Sequence, residues 1–301
     1  TPTGPVQGEL WRGAVVEHAL TRSVRDSAAL LDAVAGPDVG APYFAPPPGR
    51  PFLEEVKTPP GRLRIAFSAR PVLGHTVHED CVRAVNDAAR LLESLGHDVV
   101  EDAPAIDRDG FNRAFLTVVA SELAAELEDA AAFLKRPVRR RDVEPATWAL
   151  SLIGRSITAP EYSNAIRHLQ RVGRHVGGFF ERYHVQLTPV LAGPPFPHGA
   201  LQPSRVERLQ MTVLGALRAS RTMKALGALE QAAGTVFEWM QFTPIANATG
   251  QPAMSVPLSW SAEGLPIGVH FTGRYADEAT LFRLAAELEL AAPWRERRPP
   301  G

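Results

Sequence analysis

The sequence predicts an α/β fold: a mixed β-sheet flanked by helices. Three observations predict it. Leu63–Glu101 reads strand, helix, strand, a unit that closes as two parallel strands with a right-handed crossover. Ala253–Gly273 reads as two strands joined by the short loop Ser261–Gly264, an antiparallel hairpin. Helical patterns separate and follow these strands, and that alternation, ending in a hairpin, gives a mixed sheet.

The elements follow in order. Ser23–Ala35 is a helix: Ser23 caps it, Asp26 completes a capping box, Val24, Ala28, Leu31 and Ala35 share a face, and Gly36 ends it. GPDVGAPYFAPPPGRPF is a proline-rich surface connection with polyproline character. Leu63–Phe67 is a strand. Thr76 and Glu79 suggest a second capping box, opening a helix to Leu95 with Val82, Val85, Ala89 and Leu92 inward; Gly96 ends it and His97–Glu101 is the next strand. Gly110–Leu134 is helical, with Phe111, Phe115, Val119 and Leu123 on one side. The basic run KRPVRRRD reads as a solvated helix end or loop. Thr158 and Glu161 form a third capping box, and the helix they open runs to about Tyr183 with Ile166, Leu169, Val176 and Phe180 apolar.

Val185–Thr188 is a short strand broken by Pro189. Ser204 and Glu207 open a helical region reaching about Met240, which Gly215, Gly227 and Gly234 divide in two. An Asn-rich turn then leads into Ala253–Trp260, where Met254, Val256, Leu258 and Trp260 share a face by period two. Pro257 cannot donate to a ladder, so its nitrogen belongs at an edge or irregularity. In Pro266–Gly273, Ile267, Val269 and Phe271 share a face, and Gly268 and Gly273 mark places where another backbone comes close. Asp277 caps a last helix, to Glu289, with the stripe Leu281, Leu284, Ala285 and Leu288.

With 301 residues and no internal repeat, the chain reads as a single domain, 1–301. Its net charge of −1 gives no general attraction to nucleic acid or acidic membrane, and no apolar run reaches membrane-spanning length. A lone cysteine, Cys81, excludes an internal disulfide and fits a reducing, cytoplasmic setting. The opening TPTGPVQGE reads as the middle of a loop, which suggests a further N-terminal part.

Familiar catalytic motifs are absent from the sequence: no G-x-S-x-G elbow, no G-x-x-x-x-G-K-[ST] loop and no G-x-G-x-x-G fingerprint. His75, His78, Glu79 and Asp80 match no zinc spacing, so no metal is expected. Cys81 sits at a helix start, where the dipole would favour a thiolate, but Val82 and Val85 beside it point to burial.

Four ordered matches carry a resemblance: LTRSVRDSAALLDAVAGPD from Leu20, LRIAFS with LLESLGHDVVED, QLTPVLAGPPFP from Gln186, and the terminal pair ATGQPAMSVPL and GLPIGVHFTGR. Together they resemble the amidase signature family of amide hydrolases across nearly the whole chain. APPPGRPF and the closing APW resemble its subgroup of 6-aminohexanoate-cyclic-dimer hydrolases and related bacterial amidases. The resemblance implies a serine nucleophile, a second serine as proton relay and a lysine base, because a neutral serine is a poor nucleophile. It also implies Gly/Ser-rich backbone donors for the oxyanion. No Gly-Gly-Ser-Ser-like run is present, and neither Lys57, Lys135 nor Lys224 stands in a matching context, so no catalytic residue is assigned.

What the resemblance implies is therefore an amidase signature fold lacking its N-terminal part, from a hydrolase of carbon–nitrogen bonds in a small linear or cyclic amide, inactive alone. Asn247, Thr249 and Gln251 are the expected substrate-side residues; the competing reading is that they satisfy backbone groups in a tight turn. At the position of Met240, glutamine-using family members carry an aspartate that holds their substrate; methionine cannot, which implies a more apolar amide. No cofactor is expected. The expected partner is a small-molecule amide, with no nucleic acid and no membrane, and a homodimer is left open. The alternative is a non-catalytic scaffold or binding protein derived from the same fold.

Overall fold

The computed structural model describes residues 1–4, 7–200 and 227–300. The helical start expected at Ser204 and Glu207 lies outside the described residues. The chain divides into two compact units. The first comprises Thr1–Ile106, Val172–Pro195 and Glu238–Gly301; the second comprises Asp107–Arg171 and Phe196–Phe237.

The first unit holds a five-stranded sheet. Its strands are β1 (Arg64–Phe67), β2 (Asp98–Glu101), β3 (Val185–Pro189), β4 (Ala253–Trp260) and β5 (Pro266–Gly273), in the order β2-β1-β3-β5-β4. β1 runs parallel to β2 and β3, while β5 runs antiparallel to β3 and β4. The parallel pair and the terminal hairpin therefore share one mixed sheet. Helices α1 (Val24–Val34), α2 (Phe52–Glu55) and α3 (Glu79–Ser94) come from the early part of this unit.

One face of the sheet is the core. Ile65, Leu187, Val256, Ile267, Val269 and Phe271 pack with Val85, Ala89 and Leu92 of α3 and with Leu281, Leu284 and Leu288 of α9 (Glu278–Ala291). The stripe expected on α9 is buried, and Asp277 caps it by accepting from the Thr280 amide. Ser23 caps α1, accepting from the Asp26 amide, and the Glu289 carboxylate accepts from Val24 N at 3.3 Å, tying α1 to α9.

Four expectations for this unit need correction. The Thr76–Glu79 box does not form: His78 is the N-cap of α3, its Nδ1 accepting from Asp80 N, and Val82 is only half-buried. The Asn-rich turn is a short helix, α8 (Thr243–Thr249), ended by Gly250 in the left-handed region at φ 80°. Period two holds along β4 for Met254, Val256 and Leu258, which pack on the core, but Trp260 does not join them: the register shifts between Val256 and Ser259, a bulge that carries Pro257. Thus the imino nitrogen sits on the outermost strand and at an irregularity, as its missing donor requires. Last, what crowds Gly268 is side chains, not backbone: a Cβ there would stand 2.8 Å from Ser255 Oγ and 3.1 Å from Val190 Cγ2.

The second unit is helical. α4 (Arg108–Phe133) and α5 (Pro145–Gly154) pack so closely that a Cβ on Gly154 would stand 1.9 Å from the Ala120 carbonyl oxygen. α5 was not foreseen from the sequence. On α4 the buried residues reach beyond the single stripe expected, taking in Ala114, Leu116 and Val118. α6 (Ala159–Phe180) begins with the expected box: Glu161 accepts from Thr158 N at 2.8 Å, and Thr158 Oγ1 accepts from Glu161 N at 3.4 Å. α7 (Ala228–Trp239) starts directly after Gly227, which takes φ 70°, and runs unbroken through Gly234.

Candidate functional site

A strand shows alternate residues to opposite faces. With Ile267, Val269 and Phe271 of β5 in the core, His270 and Thr272 fall on the other face. The β3 register sets Thr188 opposite His270 and Gln186 opposite Thr272. These four side chains and Gln251 line a narrow cleft, walled on its apolar side by Phe242, Ile245 and Ala246. Its free volume is about 20 Å³, close to the room one water molecule needs.

The polar side chains of the cleft stand among apolar ones, and no Asp, Glu, Lys or Arg lines it. His270 is 6% exposed, and burial holds its pKa at about 4, so the imidazole is neutral at neutral pH. Its Nδ1 lies 3.3 Å from Thr188 Oγ1. A hydroxyl beside an imidazole resembles the start of a nucleophile–base pair. Here it is not one: the Thr188 hydroxyl donates to the Pro189 carbonyl at 3.2 Å, and an imidazole titrating near 4 is a feeble base at pH 7. The cleft can orient a neutral polar group by hydrogen bonds; its own residues supply no activated nucleophile.

The three expected substrate-side residues are placed differently from one another. Gln251 lines the cleft and is 8% exposed. Thr249 hydrogen-bonds the Gln251 side chain and donates to Ile245 O at 2.7 Å, so it both closes the last turn of α8 and steadies Gln251. Asn247 is engaged elsewhere, its Nδ2 donating to Ala14 O at 2.8 Å. Met240, two residues ahead of the cleft residue Phe242, is 43% exposed. The polar residues His270, Thr188, Gln186 and Thr272 were not singled out from sequence, although His270 and Thr272 are the complement of the β5 apolar face that was read correctly.

Other candidates are structural. Cys81 is 2% exposed, and burial together with the Asp80 charge pushes its thiol up to about 11, which leaves it unreactive. His75 Nδ1 donates to Glu238 at 3.0 Å, and His78 serves as a cap. Among the described residues no three His, Cys, Asp or Glu side chains gather as a metal site would require, and no helix is long and apolar enough to cross a membrane.

The comparisons agree with this arrangement. The sequence profile of the family described as Amidase matches residues 5–282. The chain is 32% identical over 289 residues to the 6-aminohexanoate-cyclic-dimer hydrolase of Pseudomonas sp. (strain NK87), covering 95% of this chain and 56% of that protein. The enzyme of the same name from Paenarthrobacter ureafaciens gives the same identity and coverage. A solved structure of 6-aminohexanoate cyclic dimer hydrolase superposes with a TM-score of 0.76 at 29% identity, over 92% of this chain and 55% of that one. The chain thus spans about half the length of the curated relatives it matches. The mixed sheet, the terminal hairpin in its expected place and a family match running almost from end to end lead to one conclusion: the chain belongs to the amidase family.

Proposed function

We propose that this chain is the C-terminal portion of an amidase domain, the substrate-side scaffold of an enzyme that hydrolyses the carbon–nitrogen bond of a small linear or cyclic amide. The nucleophile, relay and base come from amidase sequence outside these 301 residues, so the chain alone does not turn over. One observation carries this reading: the cleft on the signature hairpin is lined by neutral hydrogen-bonding groups, with a histidine too weakly basic to activate a hydroxyl. Neutral donors and acceptors suit an uncharged amide. Met240, exposed two residues ahead of the cleft residue Phe242, is assigned to the substrate side by the family resemblance, where a thioether favours an apolar amide, as in the cyclic amide of the relatives' name. Gln251, with Thr249 behind it, orients the amide, and Asn247 shapes the surrounding loop. A lone buried cysteine suits a cytoplasmic setting.

The test is an assay of the purified 301-residue chain against 6-aminohexanoate cyclic dimer and a simple aryl amide. No turnover is expected. Joined to the remaining amidase sequence, the protein should hydrolyse amides and lose that activity to a serine-directed reagent. Turnover by the 301 residues alone would overturn the division of labour.

A further inference from the structure

Two side chains flanking Met240, Glu238 and Gln241, bind a strap whose first residue, Val72, lines the cleft. Gln241 is completely buried. Its Oε1 accepts from Val72 N at 2.9 Å and Gly74 N at 3.4 Å, and its Nε2 donates to Thr76 O at 2.7 Å. Glu238 grips the same strap: its carboxylate accepts from His75 N and Thr76 N, both at 3.1 Å, from Thr76 Oγ1 at 2.7 Å and from His75 Nδ1 at 3.0 Å. Between them, the Trp239 carbonyl accepts from Ala192 N at 2.9 Å, and Ala192 O accepts from His78 N at 2.7 Å. Three segments, 72–78, 190–193 and 238–242, are thereby bound through backbone groups that would otherwise need water.

A buried amide satisfying three backbone groups costs free energy if removed, because each partner is left unpaired. Burial alone would raise the Glu238 carboxyl, yet the hydrogen bonds from Thr76 and His75 hold it below the ordinary carboxylate value, so it grips the strap as an anion. Of residues 238–241, Met240 is the one whose side chain is left exposed.

We propose that Glu238 and Gln241 are positioning residues that clamp the strap Val72–Thr76 to the end of α7 and so hold Met240 fixed at the substrate rim before any substrate arrives. This deepens the reading above and rests on it for the substrate-facing role of Met240. Preorganisation of this kind spares the ligand the cost of ordering the rim. The groups sit within a fold whose relatives act on small amides, and the ligand they serve is an apolar amide in contact with the Met240 thioether.

The experiment labels the methionine methyls and follows Met240 by NMR in the wild-type chain and in Gln241→Leu, alongside hydrogen exchange. The expected result is at least a tenfold loss of protection at the Val72, Gly74 and Thr76 amides, a shifted and more mobile Met240 methyl, and an unchanged Met254 methyl. Unchanged exchange, or faster exchange with an unmoved Met240 methyl, would overturn the proposal. Thr76→Val removes one clamp hydroxyl alone and supplies the decision if Gln241→Leu does not fold; it should give the same pattern, more weakly. Titrating the wild type with 6-aminohexanoate cyclic dimer separates the two readings. A Met240 methyl that ignores the amide counts against the substrate-facing role, while the clamp itself is judged by the variants.

Discussion

Two buried ionisable side chains, Glu55 and His270, contribute to how the fold responds to acid. Glu55 is 4% exposed and sits between two guanidiniums: Arg50 Nε at 2.7 Å and Nη2 at 2.8 Å, with Arg283 on the other side. Those hydrogen bonds lower its carboxyl from 4.5 to about 2. A carboxylate whose folded pKa is depressed contributes its full stability above the unfolded value and loses it as pH falls through the folded one. Glu55 should therefore supply about 3 kcal/mol that disappears between pH 4.5 and 2. Glu55→Gln, followed by denaturant unfolding against pH, should remove that dependence and weaken the fold at pH 7. His270 acts in a higher window. The unfolded chain binds its proton near 6.5 and the folded chain only near 4, so stability is complete above pH 6.5 and falls by about 3 kcal/mol on the way to pH 4. In His270→Gln the unfolding free energy should slope less steeply from pH 6.5 to 5 than that of the wild type.

These residues differ in how legible they were. The apolar alternation of β5 was plain, and the polar face of His270 and Thr272 is its necessary counterpart. The partners were not plain. Nothing in the spacing says that Glu55 meets Arg283, 228 positions away, or that Gln241 rather than water satisfies Val72. Long-range pairing of polar groups leaves no periodic trace.

Among elements, those announced by two agreeing signals were read correctly. Ser23 with an apolar stripe gave α1, the Thr158–Glu161 box gave the start of α6, and Asp277 with four leucine or alanine positions gave α9. Single or competing signals failed. Thr76 has the chemistry of a cap, but its hydroxyl is taken by Glu238 and the capping role passes to His78. α8 was hidden by its asparagine, although Pro244 just inside its start and Gly250 just past its end mark the two boundaries. α5 is short, and its close approach to α4 depends on the missing side chain of Gly154. Gly154→Ala would drive a methyl into the Ala120 carbonyl and should cost about 2–3 kcal/mol, read as a lower melting temperature with little change in helix content.

At the scale of the molecule, the mixed sheet was legible because its two halves each carry a local pattern, one parallel crossover and one hairpin. Their joining through β3 was less so, since β3 is only five residues long and ends in proline. The cleft shows why sequence alone stops short: it depends on which face of a strand meets which helix. Val16, Leu20, Val39, Tyr43 and Phe44 are large apolar side chains left 69–106% exposed along one stretch of the chain. Such concentrated exposure favours association. The 301-residue chain should show light scattering that rises with concentration, and Leu20→Ser with Phe44→Ser should reduce it.

The order β2-β1-β3-β5-β4 also fixes a timetable for folding. Ile65 of β1 must wait for Val185, 120 positions later, and Val185 in turn for Gly273, 88 positions beyond that. Closing such long loops delays the reward of each pairing, and high contact order slows the search. As the chain leaves the ribosome, the central strand is made with one neighbour in place and the other still unsynthesised. Its final docking therefore waits for β5.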